Sequence, residues 1–346
     1  MPYISIVTPC FNEEGNIAEL HARIRQVLAA WISRQPGDGG AAWDDWDYEH
    51  LFIDNASRDA TPQVLRDLAA SDARVRVIFN NRNFGHIRSP FHGLLQARGE
   101  VVVIMASDLQ DPPELIPAFL DKWRQGWKIV LGQKSKSEET PLFFALRKSY
   151  YRLVNRLAEV ELIENVTGFG LYDRQVIEAM RGLQDPYPYV RGLISELGFA
   201  TEKVIYTQPL RKRGVSKNNF YTLYDMAMLG ITSHSKVPLR LATMMGFAMS
   251  LVSFVIGLGY LIYKLLFWSR FDAGVAPLVI GLFFIGSVQL FFIGIVGEYV
   301  GFIHTHVLQR PHVTERERLG FEPGEGFEPG APEAPQVLEG TQSADS

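Results

Sequence analysis

The chain has 346 residues, 21% of them charged, a formal net charge of −4 and a single cysteine. That charge balance carries no nucleic-acid signature. Cys10 alone cannot make a disulfide framework within the chain, which suits a reducing compartment, and at a strand end it reads as a small buried apolar residue. The length suggests roughly two structural units.

The stretch "YISIVTPCF" opens a strand almost at once, without a basic region or a long apolar core before it, so no secretory signal is expected. Strands are expected at Ile4–Thr8, His50–Ile53, Val75–Phe79 and Val101–Met105. Helices are expected between them: Asn16–Trp31, with Ile17, Leu20, Ile24, Val27, Leu28 and Trp31 on one stripe, then Thr61–Ala70 and Ser89–Ala97. Residues Gln35–Asp47 read as a surface loop. Strand–helix alternation implies a mostly parallel α/β sheet, whose ligands lie at the carboxyl ends of the strands. Asp54 and Asp108 each follow an apolar strand and are expected to face one cleft.

Two stretches near those strand ends carry chemistry. "DNASRDAT", from Asp54 to Thr61, opens a helix with a capping pattern at Ser57 or Asp59, and capping alone accounts for it. "SDLQDPP", from Ser107 to Pro113, supplies oxygen ligands of the kind Mg²⁺ or Mn²⁺ accepts when a diphosphate fills the remaining positions. Taken alone it is also a strand end with a turn. Walker A, dinucleotide-fingerprint, HExxH, paired CxxC and G-x-S-x-G patterns are absent from the sequence. His304 and His306 read as solvated histidines, and Asp173 as a structural ion-pair partner of its neighbour Arg174.

Farther along, Arg147–Val160 reads as a basic amphipathic helix, either at a lipid surface or packed with a solvated face. Phe220–Ile231 reads as an interfacial or buried lead-in to the first of two long apolar stretches. These stretches, Leu241–Tyr263 and Val275–Gly297, contain no charged residue. At about 1.5 Å per residue each helix would cross a hydrocarbon core about 30 Å thick. Tyr263 and Trp268 suit an interfacial belt. Arg211, Lys212, Arg213, Lys217, Lys236 and Arg240 precede the first span, and Arg310, Arg316 and Arg318 come after the second. The positive-inside rule then places both termini in the cytoplasm, the protein being integral to the cytoplasmic membrane. From Gly320 the chain repeats "GFEPG" and continues through Pro, Glu, Gly and Ser, a disordered composition.

In order, "ISIVTPCFNEEGNI", "DNASRDAT", "NRNFGHIRSPFHGLLQARGEVVVIMASDLQDPPEL", "TGFGLYDRQV" and "RKRGVSKNNFYTLYDMAMLG" resemble the family 2 glycosyltransferases of the GT-A fold. The resemblance is to the branch that loads sugars onto polyprenyl phosphates, the dolichyl-phosphate mannose synthase-like and GtrB-like enzymes, and it covers roughly residues 3–312. It implies a GT-A domain over residues 1–210, a juxtamembrane segment over 211–238, two transmembrane helices over 239–303 (about 239–263 and 275–300) and a disordered tail over 304–346. It implies that Pro9, Asn12, Glu13, Asp54 and Ser57 line the nucleotide site and that Asp108 and Gln110 hold Mg²⁺ or Mn²⁺ on the diphosphate. Lys134, Arg191, Arg211, Ser216 and Lys217 would meet phosphates of donor or acceptor, with Asp111 and Glu196 as supporting carboxylates beside Asp108. The expected partners are a nucleotide-sugar, UDP-linked by first preference, a polyprenyl phosphate in the membrane and further copies of the chain.

The sequence departs from the family pattern twice. The family shows Asp-x-Asp-x-Gln where this chain has Ala106-Ser107-Asp108-Leu109-Gln110, and many relatives carry an Asp, proposed as catalytic base, where this chain has Gly168. A phosphate monoester with a second pKa near ~6 is largely dianionic at neutral pH and attacks without giving up a proton. A hydroxyl acceptor needs a general base. A glycine at position 168 therefore favours a phosphate acceptor. Two other readings stay open: transfer to a hydroxyl of a lipid-linked glycan, and a catalytically silent module that binds nucleotide-sugar.

Overall fold

Runs of β-branched and aromatic residues form strands that are buried on both faces, and such strands pair in parallel beneath helices on each side. The computed structural model describes residues 3–33, 47–134, 166–183, 185, 188, 190–208, 237–267, 275–308 and 310–322. In it β1 (Tyr3–Cys10), β2 (Asp47–Asp54), β3 (Val75–Asn80) and β4 (Val101–Ile104) are buried along almost their whole length. β1 pairs in parallel with β2 and with β4, and β2 in parallel with β3. β5 (Ile129–Lys134), β6 (Val166–Asp173), β7 (Thr201–Tyr206) and β8 (Glu315–Leu319) complete a sheet of order β7-β5-β6-β4-β1-β2-β3-β8. β6 is antiparallel to β4 and β5, β7 parallel to β5, and β8 antiparallel to β3.

Helices α1 (Ile17–Ile32), α2 (Thr61–Ser71), α3 (Gly85–Gln96), α4 (Ile116–Arg124), α5 (Arg174–Gly182) and α6 (Val190–Leu197) cover the sheet. α1, α2 and α4 bury Leu20, Ile24, Leu65, Phe119 and their neighbours on one face. α3, α5 and α6 bury Phe91, Leu94, Ile177 and Leu193 on the other. The four expected strands and the three helices expected between them are present near their expected positions. α3 begins a turn earlier than expected, with Pro90 inside it. Its first turn is fixed from outside: Gly85 N–H donates to Asn83 Oδ1 (2.8 Å), and Asn55 Nδ2 donates to the Gly85 carbonyl (3.1 Å).

Two polar clusters lie within the sheet. Away from the strand carboxyl ends, Glu49 is fully buried, accepts from Ser5 Oγ (2.5 Å) and Arg98 N–H (2.8 Å), and lies 3.4 Å from the buried Arg76. Nearer the middle, His50 touches Thr8 Oγ1 and His21 Nδ1, each at 3.0 Å, and His21 Nε2 lies 3.3 Å from Asp72.

Two further helices, α7 (Val237–Leu266) and α8 (Val275–Val307), are long and apolar enough to cross a membrane. A core helix of a soluble protein would bury its apolar side chains, whereas Phe247 on α7 is 73% exposed and Leu290 on α8 is 71% exposed. Apolar surface of that extent is what contact with lipid would cover. After α8 the chain rejoins the domain. His306 Nε2 lies 3.2 Å from Asp185, and β8 closes the sheet edge beside β3. Within the span expected as a disordered tail, residues Glu315–Leu319 thus form a strand. The polar run "ERERL" is ordered because its charges have partners in the domain: Arg66 clasps Glu317 through two bonds of 2.6 Å, and His92 meets Glu315 at 2.5 Å. Burial alone would raise the Glu315 carboxyl, but hydrogen bonds from His92 and Arg318 hold it at about 2. The proposed helix at Arg147–Val160, the loop before Asp47, the lead-in at Phe220–Ile231 and the chain beyond Glu322 lie outside the described residues.

Removing Glu49 strands two guanidinium groups at the amino ends of the strands. Glu49→Ala is expected to destabilise the domain by about 3–5 kcal/mol, read as a lowered thermal midpoint of the purified protein. Burial lowers the pKa of both His50 and His21 below the ordinary 6.5, with Asp72 partly countering it at His21. The unfolded chain therefore binds more protons than the folded one once pH falls through that range. The stability these neutral rings permit is full above about pH 7 and declines on acidification below about 6.5. Denaturant midpoints taken between pH 8 and pH 5 should fall less for His50→Gln than for the wild type.

Candidate active site

The carboxyl ends of β4, β1 and β2 emerge side by side, and the loop after each holds a non-glycine residue at positive φ: Leu109 (58°), Asn12 (59°) and Ala56 (62°). Asparagine tolerates this region, whereas leucine and alanine adopt it at a cost of order 1–2 kcal/mol, which the surroundings must offset.

The β1 and β2 loops offset it by clasping each other. Asn12 N–H donates to Ser57 Oγ (2.9 Å), and Asn12 Oδ1 accepts from Arg58 N–H (2.8 Å). Glu13 N–H donates to Thr61 Oγ1 (2.8 Å), while its carboxylate accepts from Asn16 Nδ2 (2.6 Å). Asp54 is fully buried, and both its oxygens accept from Ser57 N–H at 3.2 and 3.3 Å. Burial raises the pKa of Asp54, and the bonds from Ser57 and the charge of Arg316 pull it back. Pro9, in register with Ile53, completes this corner. Asn55 joins the corner to α3, accepting from Asn80 Nδ2 (3.2 Å) and Phe84 N–H (2.8 Å). The structure thus brings together Pro9, Asn12, Glu13, Asp54 and Ser57.

In the β4 loop, Leu109 is anchored in the core at 4% exposure, and its left-handed backbone separates it from the half-buried Asp108 and Gln110 on either side. Gln110 N–H donates to Asp108 Oδ1 (3.2 Å), which shapes the turn. Asp111 is buried and accepts from the Tyr206 hydroxyl (2.7 Å). Burial raises the pKa of Asp111. Tyr206, the backbone at Ala106 and the cation of Lys134 lower it, and the charge of Asp108 raises it further. Asp108, Asp111 and Lys134 therefore share one electrostatic neighbourhood at the ends of β4 and β5.

Among the described residues no group of three or more His, Cys, Asp or Glu side chains converges as a complete metal shell. Asp108 and Gln110 offer a partial shell of hard oxygens, the donor set that suits Mg²⁺ or Mn²⁺ when phosphate oxygens and water supply the rest. The mutual repulsion of Asp108 and Asp111 favours an added cation there. Where a first aspartate is expected, Ala106 instead offers its backbone to Asp111.

Gly168 lies near the cleft end of β6 with φ +92°, where β5 and β6 pair irregularly. Open space surrounds the place of a Cβ there, so backbone conformation rather than crowding calls for glycine. Glu196 is on the exposed side of α6, away from the buried Leu193 and Ile194. Arg191 is in α6, with its side chain outside the description, and Arg211, Ser216 and Lys217 lie outside the described residues. Asp173 is structural, as expected, but pairs with Lys128 (3.0 Å) and Trp123 Nε1 (2.7 Å), while Arg174 turns to the carbonyls of Ala97 and Gly99. Sequence reasoning missed Tyr206, whose hydroxyl reaches Asp111 across 95 positions of sequence. A buried tyrosine closing the mixed strand "TEKVIY" is the one signal it leaves.

Residues 5–181 match the family described as Glycosyl transferase family 2. The SfII prophage-derived bactoprenol glucosyl transferase of Shigella flexneri is 35% identical over 309 residues, 89% of this chain and 96% of that protein. The prophage bactoprenol glucosyl transferase homolog of Escherichia coli K12 is 31% identical over the same shares. An uncharacterized glycosyltransferase of Synechocystis is 32% identical over 92% of this chain and 96% of that protein. With its strand-end carboxylates and parallel sheet core, the chain belongs to glycosyl transferase family 2.

Proposed function

We propose that the chain moves a sugar from a nucleoside diphosphate sugar to the phosphate of a polyprenyl lipid, at the cytoplasmic face of the membrane. The observation that carries this reading is the path of the chain. It leaves the domain, runs through two exposed apolar helices and returns into the same sheet as β8. If both helices span, the domain and the segment after them share one side of the bilayer, and the strand-end cleft serves an acceptor rooted in that bilayer. The bactoprenol glucosyl transferases support it, being alike over nearly their whole length.

Pro9, Asn12, Glu13, Asp54 and Ser57 bind the nucleoside, with UDP as first expectation. Asp108 and Gln110 face the diphosphate and would hold Mg²⁺ or Mn²⁺, which neutralises the departing diphosphate when bound. Asp111, fixed by Tyr206, holds Lys134 toward the same charge. Arg191, Arg211, Ser216 and Lys217 receive the lipid phosphate, with Glu196 of α6 as a supporting carboxylate. A phosphate oxygen attacks the anomeric carbon in line, the bond from that carbon to the diphosphate oxygen breaks, and the configuration inverts. The dianionic acceptor has no proton to give up, so Gly168 in place of a carboxylate costs the reaction nothing. Further copies of the chain associate through the exposed faces of the spans.

The test is to incubate the purified protein with polyprenyl phosphate, Mg²⁺ or Mn²⁺ and a panel of nucleotide-sugars, and to weigh the lipid product. Phosphatase treatment of the acceptor should abolish transfer; undiminished transfer would point to a hydroxyl acceptor instead. Asp108→Ala should lower turnover about 100-fold or more with folding intact, and chelation should silence the wild type until Mg²⁺ or Mn²⁺ is restored. Tyr206→Phe removes a bond that lowers the Asp111 pKa. The acid limb of the kcat/KM profile should then move to higher pH, and a profile identical to the wild type would remove Asp111 from the mechanism.

A further inference from the structure

The strand that comes after the membrane hairpin does more than close the sheet. β8 pairs Phe79 with Glu317 and Asn80 with Glu315, so Arg316 is the extra residue of a β-bulge at the cleft end of β3. The bulge changes which way Arg316 points. In a regular strand Arg316 and Glu317 would lie on opposite faces of the sheet. Here both reach the α2 side: Glu317 clasps Arg66 of α2, and the Arg316 guanidinium lies 5.7 Å from the centroid of the Phe79 ring. Phe79 is paired in register with Asp54, so the two side chains share that face.

The remaining charges of β8 are neutralised within the domain. Glu315 is held by His92 and Arg318, and Glu317 by Arg66. Arg316 is exposed; its guanidinium lies over Phe79, and its charge also bears on Glu317, which Arg66 clasps directly. The charge of Arg316 reaches Asp54 as well, where burial is the leading influence and Arg316 acts against it. A bulge that carries an exposed guanidinium to the face of a buried carboxylate makes an acceptor–donor pair: Asp54 accepts, and Arg316 donates.

We propose that Arg316 is a nucleotide-binding residue, donating to a carbonyl oxygen of the donor's base while Asp54 accepts from the adjacent ring N–H, so that the strand returning from the membrane completes the base pocket. A carbonyl beside an N–H is the edge of uracil and of guanine, and the proposal takes a base of that class. It rests on the reading of the chain as a nucleotide-sugar transferase.

The experiment measures binding of UDP, GDP and inorganic pyrophosphate to the full chain in detergent by calorimetry, together with KM for the nucleotide-sugar and for the lipid. Arg316→Ala should weaken UDP or GDP binding and raise the donor KM about tenfold or more, leaving pyrophosphate binding and the lipid KM unchanged. Arg316→Lys, which keeps the charge without the planar fork, should recover part of the loss. Arg310→Ala removes an exposed cation of the same segment and should change nothing. Nucleotide binding by Arg316→Ala within twofold of the wild type overturns the assignment while leaving the proposed reaction intact. Equal weakening for pyrophosphate overturns the base contact in favour of the phosphates. A matching loss in Arg310→Ala reduces Arg316 to general membrane-side charge. A wild type that binds none of the probes fails the reaction itself, and Arg316 with it. Should Arg316→Ala not fold, Arg316→Gln carries the same comparison.

Discussion

Parallel register between β1 and its neighbours β2 and β4 governs everything at the cleft. Parallel strands send their carboxyl ends the same way, so the loops that extend from them must share one rim. Cys10 is opposite Asp54, and Val7 is opposite Ile104. That alignment lets the β1 loop bond the β2 loop residue for residue, and it sets Asp108 on the same rim as Asp54. The left-handed turns at Asn12, Ala56 and Leu109 are tolerable only because the loops are locked in this way. A slip of one residue would turn Asp54 to the α3 face and dissolve the corner.

The rim divides into two chemistries. Around Asp54 the donors and acceptors are committed to one another, which gives a rigid floor suited to a flat, hydrogen-bonding group. Around Asp108 the charges repel, since Asp111 is buried beside it, steadied by Tyr206, a backbone N–H and Lys134. Such a site gains by taking up positive charge and then phosphate. Rigidity at one end and electrostatic tension at the other fit a ligand whose two ends differ in just this way.

Much of this is readable from residues alone. β1 to β4 and their helices emerge from period and burial, and Asp54 and Asp108 are placed because each ends an apolar strand. The features that stay hidden depend on pairing across long separations. Tyr206 meets Asp111 only because β7 lies parallel to β5. β8 escapes because "ERERL" has no apolar alternation: its order comes from Arg66, His92 and Asn81, more than two hundred positions upstream in the chain. Asp173 reads correctly as structural but is matched to its neighbour in sequence, when Lys128 on the adjoining strand is nearer in space.

The closing of the sheet by β8 also sets an order of assembly. Arg66 and Glu317 are separated by 251 positions, with both long apolar helices between them. Until the ribosome has released the second helix and the residues after it, the outer edge of β3 has no partner, and exposed strand edges invite pairing with other chains. Both apolar helices are therefore made before the sheet is complete, and a nascent chain stalled ahead of them is the form most exposed to aggregation.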